Sequence, residues 1–195
     1  LQIGALSKIT ARTAQEICDG AADALEVTAP PGLAPAAFLE ELLSAGRLSD
    51  AVPFLAYALP KREAVWWACL SARSALDEGA AAETRAALEA AEAWVYRPTD
   101  ENRRAAFARA EAAKFNSPSA WAAVGAFWSG GSMAPPDAPA VPPPAHLTGV
   151  AVSGAITLAA VMKDPETADE KRLRYIEIAV DIANGGDGRV HERRP

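Results

Sequence analysis

Histidine and cysteine are scarce in this chain, two of each in 195 residues, and the shortage narrows the chemistry at once. Cys18 and Cys69 lie far apart, so neither the disulfide framework of a small secreted domain nor a paired-cysteine metal site is written here. Two isolated thiols fit a reducing compartment, and the expectation is a cytoplasmic protein. His191 stands near the end of the chain and His146 between a triple proline and a helix start. His191 falls in the expected tail, and His146 has no nearby Cys, Asp or Glu at a spacing that would complete a catalytic or metal-binding set. Positive charge is short as well. A formal net charge of −6 argues against a nucleic-acid partner, whose phosphates need clustered cations. The pairs Arg103-Arg104 and Arg193-Arg194 read as solvated charges, since no aromatic platform is interleaved with them. No apolar run is long enough for a membrane span: Leu147 to Met162 is uncharged but falls below the ~18–20 residues a bilayer requires. It reads as a helix buried in a bundle core.

Phosphate and calcium loops are missing too. The glycine pair between Ser129 and Ser132 follows a helical pattern rather than a strand and lacks the lysine of a phosphate loop. Asp187, between Gly186 and Gly188, has none of the other ligands of a calcium loop. No catalytic, cofactor-binding or metal-ligating residue is therefore assigned, no cofactor is expected, and the chain reads as a non-enzymatic protein.

Helical periodicity is what the sequence does carry. Half of the residues are hydrophobic and 23% are charged, enough for a packed core. A weakly patterned segment near Ala11–Ala24 is followed by the breaker Thr28-Ala29-Pro30-Pro31-Gly32. From Pro35 the signal strengthens: Phe38, Leu39, Leu42 and Leu43 share one helix face, and Gly46 can close it. Ser49 and Asp50 offer caps to a helix that Pro60 ends. Further helices are expected over about 61–77, 81–95, from Thr99 towards Phe115, and from Ser117 to Trp128. Two more are expected over about 148–162 and 168–183, the last with Leu173, Ile176, Val180 and Ala183 as its core stripe.

These elements predict an all-α fold, an irregular multi-helix bundle of about seven or eight helices. No repeat of fixed period supports a solenoid. Residues 1–33 read as an N-terminal segment and linker, 34–184 as the bundle, and 185–195 as a flexible tail. Residues 129–146, rich in glycine and proline, interrupt the bundle as a long strap. Two forms are open to it, a mobile linker or a semi-rigid extended strap across the bundle.

The helix near 61–77 organises the rest. Stepping about 100° per residue from Val65, Cys69, Ala72 and Leu76 form the primary stripe, Trp66 lies at its edge, and Trp67 points nearly opposite. Trp67 must then be covered by something, and the nearest candidate is the strap, either permanently or exchangeably with a partner. Arg62 and Glu63 precede the tryptophans. They read as an early-turn acid favoured by the helix dipole and a structural ion pair, or as holders of a ligand carboxylate. Surplus tryptophan is a mark of interfaces. Arg62, Glu63, Trp66, Trp67, Trp128 and His146 are therefore the candidate interaction or pocket residues. The alternative to an interaction protein is a small-molecule-binding or enzymatic domain with its pocket between the Trp67 helix and the strap, using Arg62, Glu63 and His146. A purely structural oligomerisation module is a third reading.

The run Ala58-Leu59-Pro60-Lys61-Arg62-Glu63-Ala64-Val65-Trp66-Trp67-Ala68-Cys69 resembles the hallmark of an uncharacterised bacterial protein family. So does Phe127-Trp128-Ser129-Gly130-Gly131-Ser132 with Pro142-Pro143-Pro144 and His146-Leu147-Thr148-Gly149. Such proteins are similar to ones encoded among type VI secretion spike and effector genes. That resemblance implies an adaptor or chaperone-like accessory role with a spike or effector component as protein partner, and it implies no activity.

Overall fold

The computed structural model of the protein describes residues 1–21 and 24–190. Among them are nine α-helices and no strand. They are α1 (Ala14–Gly20), α2 (Pro35–Ser44), α3 (Leu48–Ala58), α4 (Lys61–Ala75), α5 (Ala82–Tyr96), α6 (Asp100–Ala112), α7 (Pro118–Phe127), α8 (Leu147–Val161) and α9 (Ala168–Ala183). A 3₁₀ turn, Pro165–Thr167, joins the last two. The architecture is an irregular all-α bundle, as the periodicity implied. Several starts follow from capping chemistry. The Thr99 hydroxyl accepts from the Asn102 N–H at 3.2 Å, and the Ser117 hydroxyl from the Ala120 N–H at 3.2 Å, with Pro118 in the first turn where its missing N–H costs nothing.

The centre of the bundle is α4, packed against α5, α7, α8 and α9. Its buried residues are Ala64, Val65, Trp67, Ala68, Cys69, Ser71 and Ala72, a continuous arc of about 200° when stepped around the helix. Trp67 sits inside that arc. The two-stripe reading arose because Ala64, Ala68 and Ser71, small residues that count little in a hydrophobicity pattern, are the core residues bridging Trp67 to Val65. The indole is 0% exposed and donates to the Tyr175 carbonyl of α9 at 2.7 Å. The strap is not its cover; α9 is.

Helix α8 carries the uncharged stretch and buries Ala151, Val152, Ala155, Ile156, Ala159 and Ala160 between α3, α4, α7 and α9. No single helix among the described residues is long and apolar enough to cross a membrane. Gly125 of α7 lies where an added Cβ would stand 3.4 Å from both Val65 and Val152, so α4, α7 and α8 meet at a seam of small residues.

Both ends of the described chain belong to this body. Ile3, Leu6, Ile17, Leu25 and Val27 join the hydrophobic core, so residues 1–33 are more than a linker. The Asn184 side chain accepts from the Leu6 N–H and donates to the Ile3 carbonyl, tying the N-terminal segment to the end of α9. Residues 185–190, expected as flexible tail, fold back instead. The Asp181 carboxylate accepts from the Gly188 N–H at 2.8 Å, and Gly188 itself is buried. The rest of that tail, 191–195, lies outside the described residues.

In α9 the expected stripe holds at three of its four residues. Ile176, Val180 and Ala183 are buried, but Leu173 is 40% exposed, and Tyr175, Ala179 and Ile182 complete the inward face. Replacing Trp67 by Ala is expected to cost about 3–5 kcal/mol in urea unfolding, as for other buried large-to-small changes. Leu173→Ala should stay within about 0.5 kcal/mol of the parent.

Candidate functional site

Trp66, one step along α4 from the buried ring, faces outward and forms the wall of a hollow of about 540 Å³. Its indole N–H donates to the Asp187 carbonyl at 2.8 Å, so the folded-back 185–190 segment fixes the ring from one side. The Tyr96 ring, at the last position of α5, lies 5.8 Å from it at an interplanar angle of 60°, making an open V. The Arg189 guanidinium stands 6.0 Å from the indole centroid, within reach of a cation–π attraction. The rim is charged. Lys8 pairs with Glu63 at 3.1 Å, and the Arg62 Nε–H donates to the Val95 carbonyl at 2.6 Å near the end of α5. Glu63 occupies the first turn of α4, where the helix dipole favours an acid. The Nη atoms of Arg62 and the hydroxyl of Tyr96, which is 64% exposed, make no hydrogen bond among the described residues.

Three of the six sequence-derived candidates thus come together: Arg62, Glu63 and Trp66. The other three lie elsewhere. Trp67 is in the core. Trp128 caps the end of α7, half-buried, with its ring 6.4 Å from Trp121. His146 holds the N-cap position of α8, but its side chain makes no capping bond. It borders a separate hollow of about 250 Å³ that also touches Tyr57 and Lys61. A pocket joining Arg62, Glu63 and His146 under the strap is not formed, because the strap leaves from α7 and is held on α6.

The holding groups are the arginines that read as solvated. Arg103 is 3% exposed. Its guanidinium donates to the Phe127 carbonyl at 2.8 Å, to the Ser132 carbonyl at 2.8 Å and to Asp100 at 2.6 Å. Arg104 adds bonds to the Ala134 carbonyl and to Asp100. Held by the side-chain bonds of Arg104 and Arg103, the exposed Asp100 carboxyl lies below the usual carboxylate range. Gly131, at φ +65°, passes so close that a Cβ would stand 2.9 Å from Arg103 Nε. Gly131→Ala should therefore loosen the strap root and lower stability by about 1–3 kcal/mol, read by chemical denaturation.

Sequence reasoning missed Tyr96, Lys8, Asp187 and Arg189. A signal existed for Tyr96: Leu88, Ala91 and Val95 face inward, which turns the next residue, at the helix end before Pro98, towards solvent. The other three reach the hollow only through tertiary contacts.

Neither thiol is set up as a nucleophile. Burial pushes Cys69 well above the ordinary thiol value, with the nearby Glu92 charge adding to it, and burial raises Cys18 as well. At about pH 8 a thiol reagent should label half-buried Cys18 slowly and Cys69 only on unfolding. Rapid native labelling of Cys69 would contradict this packing. Among the described residues no group of three or more His, Cys, Asp or Glu side chains is placed to hold a metal ion.

A family model described as a family of unknown function, DUF6931, matches residues 38–183, from the first core aromatic of α2 to the last residue of α9. No curated protein matches the chain, and no solved structure does. The match covers the bundle from Phe38 onward, leaving out α1 and the start of α2, together with the strap and most of the hollow, and the chain belongs to DUF6931, a family of unknown function.

Proposed function

We propose that this chain is a non-enzymatic interaction protein whose Trp66 hollow seats a segment of a partner protein. The observation that carries the reading is the pairing of Trp66 with a Tyr96 ring left 64% exposed beside the uncommitted Nη atoms of Arg62. Trp, Tyr and Arg are the residue types that dominate interface energetics. Here the tryptophan is already immobilised by its bond to Asp187, so little side-chain entropy is lost when it is covered. A volume of about 540 Å³ also suits a small molecule. The open, charged rim and the projecting tyrosine favour an extended peptide over an enclosed ligand.

The identity of the partner rests on the motif resemblance. On that basis we place the protein in the cytoplasm as an adaptor or chaperone-like accessory of bacterial type VI secretion, handling a spike or effector component. Co-expression with the spike and effector proteins encoded beside it tests this. A complex should be recovered with the parent chain and weakened about tenfold or more by Tyr96→Ala, a change at an exposed position. Recovery of no complex, or of one indifferent to Tyr96 and Arg62, would reject the reading.

A further inference from the structure

The strap supplies the chemistry that an aromatic hollow of this kind would take. Residues 133–141 form a loop closed at its base. The Met133 N–H donates to the Val141 carbonyl at 2.8 Å, and the Val141 N–H to the Ser132 hydroxyl at 2.9 Å. A turn closed by the Ala138 N–H and the Pro135 carbonyl reverses the chain. Beyond it Ala138, Pro139, Ala140, Val141 and Pro142 are all exposed, Val141 to 48%. Val141, Pro142 and Pro143 each precede a proline, which forces them into extended backbone. In a polyproline II helix, with three residues per turn, Pro139 and Pro142 fall on one ridge, each preceded by a small or branched apolar residue. Such a ridge is stiff before it binds and docks on aromatic-lined grooves. Because Arg103 and Arg104 hold its root, it is presented rather than trailing.

Within one molecule the two halves stay apart, since no residue of 129–146 lines the Trp66 hollow. We propose that the strap of one copy seats in the Trp66 hollow of a second copy, a contact that rests on the hollow being a protein-docking site. The ridge would lie across the V of Trp66 and Tyr96, with the Tyr96 hydroxyl donating to a strap carbonyl. The Val141 carbonyl is taken by Met133, but those of Pro139 and Pro142 accept no hydrogen bond among the described residues. Charge agrees as well: Asp137, exposed two residues ahead of Pro139, is complementary to the Arg62 guanidinium, whose Nη atoms make no hydrogen bond among the described residues. Exchange of straps in both directions closes a two-fold dimer and leaves no open end.

Sedimentation of the full chain from about 10 to about 500 μM tests the proposal at the weak affinities typical of single-segment docking. The weight-average mass should climb from monomer towards dimer. Tyr96→Ala and the double change Pro139→Ala/Pro142→Ala, all at exposed positions, should each weaken dimerisation about tenfold or more while the urea midpoint stays put. Raising salt should weaken it severalfold through the Asp137–Arg62 pair. A chain that stays monomeric throughout, or a dimer untouched by both variants, would overturn the proposal. A labelled peptide of residues 137–145, followed by fluorescence anisotropy, separates this from the docking reading beneath it. If the peptide binds in a Tyr96-dependent way while the chain stays monomeric, the hollow still docks a segment and only the second copy is refuted. If neither peptide nor secretion partner binds, both fall.

Discussion

The close approach of α4, α7 and α8 is the constraint on which the remaining structure depends. It is set by what these helices lack. Ala64 and Ala68 on α4, Ala122, Ala123 and Gly125 on α7, and Ala151, Ala155 and Ala159 on α8 carry at most a methyl group into the interior. Gly125 fits between Val65 and Val152, where an added Cβ would stand 3.4 Å from each, at the near limit of ordinary contact. At the start of α8, Gly149 lets the helix lie on the ring of Tyr57, which a Cβ would strike. Helices packed this tightly gain dispersion contacts from backbone as well as side chains. They also leave little volume for large groups, so Trp67 is accommodated at the edge of the seam, where α9 closes over it.

A seam of alanines does nothing for the polar ends of its helices, and the last carbonyls of each helix need donors from elsewhere. Left-handed glycines serve α2 and α9, at Gly46 and Gly185; at several other ends side chains from neighbouring segments supply the donors. Arg62 reaches Val95 near the end of α5, Arg103 reaches Phe127 at the end of α7, and Thr148 donates to Trp128 just beyond it. Lys171 binds the carbonyls of Met162, Lys163 and Asp164 after α8, and Arg85 those of Asp77 and Glu78 after α4. A cation near a helix C-terminus also complements the dipole. The same bonds fix the angles at which the helices meet, so they orient surface groups such as Trp66 and the strap root.

These two features explain what could be read from the sequence and what could not. Helix positions were legible because capping residues and periodicity are local: Thr99, Ser117-Pro118 and the span of α9 fall where the pattern placed them. Which face each helix buries was less legible wherever alanine fills the core. Trp66 lies at the core edge as its spacing implies, but Trp67 was set apart from the core because a scale that treats Ala64, Ala68 and Ser71 as neutral cannot see the arc they complete. Arg103 read as solvated for a related reason. A buried guanidinium is written in the sequence only through its partners; Asp100 three residues earlier is one, but the others are main-chain carbonyls of Phe127 and Ser132 that any residue would supply. Of the hollow, Arg62, Glu63 and Trp66 were visible as a contiguous run, whereas Lys8 and Asp187 enter from the two ends of the chain, far from α4 in sequence.

Both outward-facing features follow from a core that has no use for them. With Trp67 closed off by α9, nothing in the interior needs the strap, and a flexible connection from α7 to α8 would satisfy the fold at lower cost in backbone constraint. The chain does the opposite. It commits a buried guanidinium, a left-handed glycine and a triple proline to holding residues 132–144 in one shape. Trp66 is treated likewise, its indole N–H tied to Asp187 and its open face left beside Tyr96. Stiffness at an exposed position contributes little to folding stability. It does lower the entropy lost on association, and the rigid strap and the fixed indole are the physical basis of the contacts between molecules proposed above.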